Sequence, residues 1–134
     1  MERSASELID EIGTRVKGIW SHSENPELLS KDLNDIAVLN WGLAKWRTEF
    51  DENERQMKAE LELDKANGML RHTNSGEAVN KAEIRMTIEL GAKKLEYNKM
   101  ASNLDKVKTM MNANASVMDA ARSRLSLIKA EMQS

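Results

Sequence analysis

A chain of 134 residues that is 31% charged, with five aromatic side chains and one proline, is typical of an all-α protein rather than a compact enzyme core. The absence of cysteine argues against disulfide scaffolds and thiolate metal sites, and no run of about 18 apolar residues is present to span a membrane. The start, MERSASELID, lacks an apolar h-region, so we expect no secretory signal and a cytoplasmic location.

The net charge of −2 hides an uneven distribution. The first 68 residues carry 9 basic and 15 acidic side chains, whereas the last 66 carry 11 and 7. A chain divided in this way can hold a basic face despite its acidic balance. Charges on solvated helices also vary from segment to segment without any ligand, so charge alone does not decide between these interpretations.

The first predicted helix covers residues 5–20. Ser4 and Glu7 fit a capping box, in which each side chain satisfies an orphan amide at the helix start. Apolar residues then recur at helical spacing, at Leu8, Ile9, Ile12, Val16 and Ile19. The stretch SHSENP at 21–26 ends this helix.

The second predicted helix has two alternative starts, at Pro26 with Asn25 as its cap, or after Ser30. It ends between Asn67-Gly68 and Thr73. Its apolar stripe is close to a heptad and comprises Ile36, Leu39, Leu43, Trp46, Phe50, Met57 and Leu61.

Trp41 lies off this stripe. We expect it to pack under the first helix near Trp20, and stacking on a nucleic-acid base is the alternative.

A third helix is predicted to begin near Gly76, where Asn74 and Glu77 fit a second capping box. Residues 84–90 alternate between apolar and polar, which is the period of a strand. Helical sequence flanks them and a lone strand would have no partner, so we predict helix, with strand as the open alternative. Helical spacing continues through Leu95, Met100, Leu104, Val107 and Met111.

The sequence leaves open whether NANAS, at 112–116, breaks the last helix, since these residues are weak helix formers. Ser116 and Asp119 offer a third capping box. The apolar stripe that follows comprises Val117, Ala121, Leu125, Ile128 and Met132. We predict that it mediates self-association, because a terminal amphipathic helix needs a cover.

Together these elements predict an elongated helical hairpin with an N-terminal helix and a C-terminal oligomerisation helix. Residues 1–116 would form a helical DNA-binding domain, and residues 117–134 the oligomerisation helix. With so few aromatic side chains, long helices of this kind usually complete their core with a partner chain.

No catalytic, metal or cofactor site is predicted. His22 and His72 are 50 residues apart and fit no metal-binding spacing. The carboxylates between residues 49 and 64 spread around a charged helix face. We therefore expect a protein without enzymatic activity.

Binding chemistry concentrates in KANGMLRHTNSGE, at residues 65–77. This turn and the helix after it carry five side chains that could contact phosphate: Lys65, Arg71, His72, Lys81 and Arg85. An arginine can fork two hydrogen bonds to one phosphate, and a helix N-terminus favours an anion. A plain structural turn accounts for the same residues without a ligand. Two further sets of basic residues could follow a backbone or border a helix interface: Lys99 with Lys106, and Arg122 with Arg124 and Lys129.

Four stretches in matching order resemble the UvsY family of recombination mediators of T-even-type phages. They are LAKWRTEFDENERQM, MLRHTNSG, EIRMTIELGAKKL and VMDAARSRLSLIKAEM, and they cover most of residues 30–134. The resemblance rests on their colinearity, since no single motif is specific. The chain departs from the family at Met69, where a basic residue would stand, and in its acidic first half.

The resemblance implies a ring-like homo-oligomer, formed through the C-terminal part, that binds single-stranded DNA. It further implies a protein that helps load a RecA-like recombinase in place of a single-strand-binding protein, in the host cytoplasm if the chain is phage-encoded. Arg71 matches the second basic residue of the family's DNA-binding turn. The alternative from the residues alone is a coiled-coil scaffold that binds only protein, without DNA.

Overall fold

The computed structural model describes residues 3–133, and within that range the chain forms four α-helices and no strand. They are α1 (Ala5–Ser21), α2 (Pro26–Asn74), α3 (Val79–Glu89) and α4 (Gly91–Gln133). The predicted all-α class is confirmed. None of the helices in this range is long and apolar enough to cross a membrane.

The first two helix starts follow local capping. The hydroxyl Oγ of Ser4 accepts a hydrogen bond of 3.1 Å from the amide of Glu7. Asn25 Oδ1 accepts bonds of 3.1 Å from the amides of Glu27 and Leu28, so the start at Pro26 is confirmed and the alternative after Ser30 is wrong.

The turn between α2 and α3 differs from its prediction. Gly76 takes a φ of 90°, a left-handed conformation that glycine adopts without a steric penalty. This conformation turns the chain out of the helix just after α2 ends at Asn74. The amide of Glu77 bonds to the carbonyl of His72 instead of entering a new helix. The capping box of Asn74 and Glu77 is therefore wrong, and α3 begins later, after Ala78.

Residues 84–90 are helical up to Glu89, so the strand alternative is wrong. The predicted single third helix is nevertheless interrupted at Leu90, with Gly91 beginning α4. Residues 112–116 lie inside α4 and do not break it. The Ser116 hydroxyl bonds to the Asn112 carbonyl within the helix, at 3.4 Å, so the third capping box is wrong as well.

The chain divides into two compact units, one formed by residues up to Thr48 with those from Asp105 onward, the other by Glu49–Leu104. α2 and α4 contribute to both units. The chain passes from one compact unit to the other after Thr48 and again before Asp105. The predicted division at residue 116 into a DNA-binding domain and an oligomerisation helix stays a prediction.

The first unit has the larger core. Side chains from α1, α2 and the second half of α4 pack together in it: Ile19, Leu29, Leu33, Ile36, Met118, Ala121 and Ile128. Val117 and Leu125 pack against this cluster, while Met132 is exposed. α1 and α2 therefore cover most of the apolar stripe predicted for residues 117–132. Self-association through this stripe stays a prediction, but the need for a cover no longer supports it.

A polar pair lies inside the same unit. Asn114 is buried, and its amide nitrogen donates a 2.9 Å hydrogen bond to Asn40 Oδ1. Asn40 in turn donates to the sulfur of Met118 at 3.6 Å. Buried amides without partners are costly, so this pair favours one register between α2 and α4.

In the second unit, α3 packs on α2 at a glycine. Met86 is 3% exposed and Ala82 is fully buried. A Cβ atom added at Gly68 would overlap the sulfur and terminal methyl of Met86. The lack of a side chain at Gly68 therefore leaves room on α2 for the end of the Met86 side chain.

We expect Gly68→Ala to destabilise the protein, because the buried sulfur and terminal methyl of Met86 would have to shift. Overpacking of this kind costs about 1–3 kcal/mol, which outweighs the gain of about 0.5–1 kcal/mol that alanine brings to a helix interior. The measurement is the free energy of unfolding in urea. Gly91→Ala is the control, because nothing lies within 4 Å of its added Cβ, and it should cost nothing. An equal effect of both substitutions would contradict the tight contact between Gly68 and Met86.

Candidate nucleic-acid interface

Three of the five predicted DNA-binding residues lie in one ion-pair network at the end of α2. Arg71 and His72 contact the carboxylate of Glu89 at 3.2 and 3.1 Å. Arg85 Nε contacts Glu77 Oε1 at 2.6 Å, and His72 Nδ1 lies 3.5 Å from the other oxygen of Glu77. The network ties the end of α2 to α3.

This network leaves little free positive charge at the turn. The hydrogen bond to Glu77 and the charge of that carboxylate raise the pKa of Arg85 above its ordinary value. The His72 side chain is only 14% exposed and lies between two glutamates. A phosphate would have to compete with these carboxylates, so the turn is less available than its sequence indicates.

The other two predicted residues lie elsewhere in the second unit. Lys81 is exposed on α3 and Lys65 is exposed on α2. Neither forms an ion pair with another residue in the range 3–133. Lys65 borders a cleft, whereas Lys81 does not.

The cleft, of about 590 Å³, lies between α2, α3 and the start of α4. Lysines border it, with Lys58 and Lys65 on α2 and Lys94 on α4. The remaining lining is largely apolar and includes one carboxylate: Leu61, Glu62, Met86, Thr87, Leu90, Gly91 and Tyr97. We call this the basic cleft.

Two features suit the basic cleft to an anionic ligand that also has a flat apolar part. Its lysines form no ion pair within the described part of the chain, so their charges are available. The buried Met86 and the half-buried Leu61 and Leu90 give it an apolar lining. A nucleotide strand presents both phosphates and base faces, and proteins bind it with these two kinds of surface.

Two contacts hold α4 against α2 beside the cleft. Lys93 forms an ion pair with Asp64, and the hydrogen bond between them raises the pKa of Lys93. The Tyr97 hydroxyl donates a 2.6 Å hydrogen bond to Glu54 Oε1. This bond, together with burial and the negative charge of Glu54, raises the pKa of Tyr97.

The first unit has a wide groove of the opposite character. It is lined by four carboxylates, two arginines and one histidine, together with small residues: Arg3, Glu7, Asp10, Glu11, Thr14, Arg15, Gly18, His22 and Asp32. Arg3 and Arg15 both pair with Glu11, and His22 contacts the buried Asp32 at 2.6 Å. A phosphate strand would be repelled here, so the basic cleft is the better candidate.

The prediction for Trp41 is wrong. Its side chain is 74% exposed and does not pack under α1, and Trp20 is 71% exposed. Trp41 lies on the side of α2 opposite Leu39 and Leu43, which are buried. Trp46, which belongs to the predicted apolar stripe of α2, is half-buried and donates a 2.8 Å hydrogen bond to the carbonyl of Arg3.

Sequence reasoning did not identify Lys58, Lys94 or Tyr97. The seven-residue spacing of Lys58 and Lys65 could have indicated a shared helix face. Lys94 joins them only through the packing of α4 on α2, for which no sequence signal exists.

Within residues 3–133, no group of three or more metal-ligating side chains could hold a metal ion. Comparison with protein-family models, with curated proteins and with solved structures finds no match.

We expect Tyr97, the single tyrosine of the chain, to ionise above its ordinary pKa of about 10, because its hydroxyl donates a hydrogen bond to the Glu54 carboxylate. Since the folded pKa exceeds the unfolded one, the contribution of this bond to stability is present below about pH 10 and lost as the pH rises through the folded value. Phenolate absorbance during an alkaline titration measures the pKa. Glu54→Ala should lower it, whereas Glu52→Ala, at an exposed position, should not. Equal pKa values in all three proteins would contradict the hydrogen bond.

Proposed function

We propose that the protein binds single-stranded DNA through the basic cleft and acts as a recombination mediator without enzymatic activity. The observation that carries the proposal is the set of three lysines that lie around an apolar lining in the second unit and form no ion pair with any of residues 3–133. The resemblance of residues 30–134 to the UvsY family supports it independently.

Lys58 and Lys65 would contact the phosphates. They are separated by two helical turns, or about 10 Å, the length of roughly three stacked nucleotides at 3.4 Å each. Lys94 would hold the strand from α4, and bases would rest on the apolar lining beside Leu61 and Leu90. Contacts of this kind do not select a base sequence, which suits a protein that coats any single strand.

The turn would add a second, weaker contact. Lys81 is free to reach a phosphate, and the exposed Arg71 could share its guanidinium between Glu89 and the strand. His72 and Arg85 would serve mainly to hold α3 on α2 through the glutamates. Lys65 thus links the predicted basic turn to the basic cleft.

The mediator role rests on the resemblance. It would require the protein to bind DNA that carries a single-strand-binding protein and to pass that DNA to a RecA-like recombinase. Self-association would strengthen such binding, because several modest contacts on one strand act together.

A coiled-coil scaffold that binds only protein is the second candidate. The observation in its favour is that the second unit exposes several large apolar side chains: Leu63, Leu70, Val79, Ile84, Ile88 and Leu95. The ion pairs at the turn also fit a structural role. This candidate predicts no DNA affinity at any salt concentration.

We expect fluorescence anisotropy to show binding of a labelled oligo-dT at low salt, with affinity falling log-linearly as salt rises. Each phosphate contact to a single strand contributes a slope of about 0.7. Replacing Lys58, Lys65 and Lys94 together with glutamine should therefore reduce the slope by about 2 and weaken binding more than 10-fold.

The matched control removes three exposed lysines of the first unit, Lys17, Lys31 and Lys129, and leaves the same net charge. It should bind nearly as well as the wild type. Equal losses in the two triple variants would show that net charge, not the basic cleft, governs binding. No binding by the folded wild type would favour the scaffold.

We expect Arg71→Ala to weaken oligo-dT binding by less than the three cleft substitutions, because Glu89 already pairs with Arg71. Helicity, measured by circular dichroism, should be unchanged. The same assay on Lys81→Ala tests the exposed lysine at the start of α3. A larger loss from Arg71→Ala than from the cleft variant would place the site at the turn instead.

A further inference from the structure

The second unit carries an apolar stripe on the outer side of α2. Ala59, Leu63, Ala66 and Leu70 follow one another at spacings of four, three and four residues, which is the spacing of a coiled-coil seam. All four are exposed, and the two leucines are each 61% exposed. We call these residues the outer seam.

The outer seam lies opposite the face on which α2 packs within its own unit. Leu61, Asp64 and Gly68 form that inner face, with Gly68 against Met86 and Asp64 paired to Lys93. A helix rotates by about 100° per residue, so Leu63 and Leu70 point away from Leu61 and Gly68 by about 140–180°. Intramolecular packing has therefore used one side of α2 and left a second apolar side without a cover in the described part of the chain.

The sizes of the four side chains fit a second copy that runs in the opposite direction. In that register Leu63 faces Ala66 of the other copy, and Leu70 faces Ala59. Each layer then joins one large and one small side chain, so the helices can approach evenly along the seam. A parallel pair would place leucine on leucine and alanine on alanine, leaving alternate layers wide and narrow.

The charges beside the outer seam favour the same arrangement. Glu60 and Glu62 border one end of it, and the uncharged Asn67 and Met69 border the other. In an antiparallel pair the glutamates of one copy lie beside the uncharged end of the other, so acid does not meet acid. No buried charge needs compensation.

From these observations we propose that two copies of this chain associate through the outer seam as an antiparallel, two-fold symmetric pair. This interface is separate from the stripe of α4, which α1 and α2 cover. It does not depend on DNA binding, which the anisotropy measurement tests by itself.

Sedimentation equilibrium over protein concentrations from about 1 to 200 µM tests the association. A seam of two heptads is smaller than a standard interface, so we expect a dissociation constant on the order of 10 µM. Leu63→Glu combined with Leu70→Glu should weaken association at least 100-fold, which is about 2.7 kcal/mol, with helicity unchanged. A wild type that stays monomeric throughout this range would overturn the proposal.

The control is Ile88→Glu combined with Leu95→Glu, which places two charges on exposed apolar positions of the same unit outside the seam. It should associate like the wild type. Loss of association in this variant but not in the seam variant would place the interface elsewhere and overturn the proposal.

Cysteine cross-linking tests the direction, since the chain has no cysteine of its own. A mixture of Ala59→Cys and Leu70→Cys proteins should form a mixed disulfide, because the two positions face each other in the antiparallel pair. Leu70→Cys alone should not, since its two copies would lie about 16 Å apart along the axis, beyond the roughly 7 Å that a disulfide allows. Cross-linking of Leu70→Cys alone without the mixed product would show a parallel pair and overturn the proposed arrangement.

Discussion

The second unit depends on the contact between Met86 and Gly68. Because Gly68 has no side chain, the sulfur and terminal methyl of Met86 fit against α2, and Met86 and Ala82 are buried. Thr87 and Leu90 line one cleft with Leu61 and with the start of α4. The basic cleft, which Met86 also lines, and the ion pairs of the turn both require α3 to pack on α2.

The charges of the second unit fall into two groups. Glutamates at 77 and 89 pair with Arg71, His72 and Arg85, and Asp64 pairs with Lys93, so these cations hold helices together. The lysines of the basic cleft have no such partners within the described residues. A basic side chain that lies beside a carboxylate therefore stabilises the fold, and one without such a neighbour remains available to a phosphate strand. The number of basic residues does not decide between the two.

Features that depend on neighbouring residues could be predicted from the sequence. Heptad spacing and capping by Ser4 indicated the all-α class and the start of α1, whereas the start of α2 stayed open between Pro26 and a position after Ser30. The buried face of α2 at Ile36, Leu39 and Leu43 followed from the same spacing. Three features depend instead on how helices distant in sequence pack together. They are the burial of the α4 stripe under α1 and α2, the exposure of Trp41 and the position of Lys94 beside the basic cleft. Local patterns contain no signal for that packing, and the left-handed Gly76 shifted the start of α3 for a reason that a capping motif does not reveal.

The central claim is that a single DNA strand lies in the basic cleft. Titration of the isotopically labelled protein with a short oligo-dT at low salt, followed by amide NMR shifts, tests it directly. The account predicts that the largest shifts occur at Lys58, Lys65, Thr87 and Lys94, with smaller ones at Arg71 and Lys81. Shifts confined to the first unit, or no shifts at all, would contradict it.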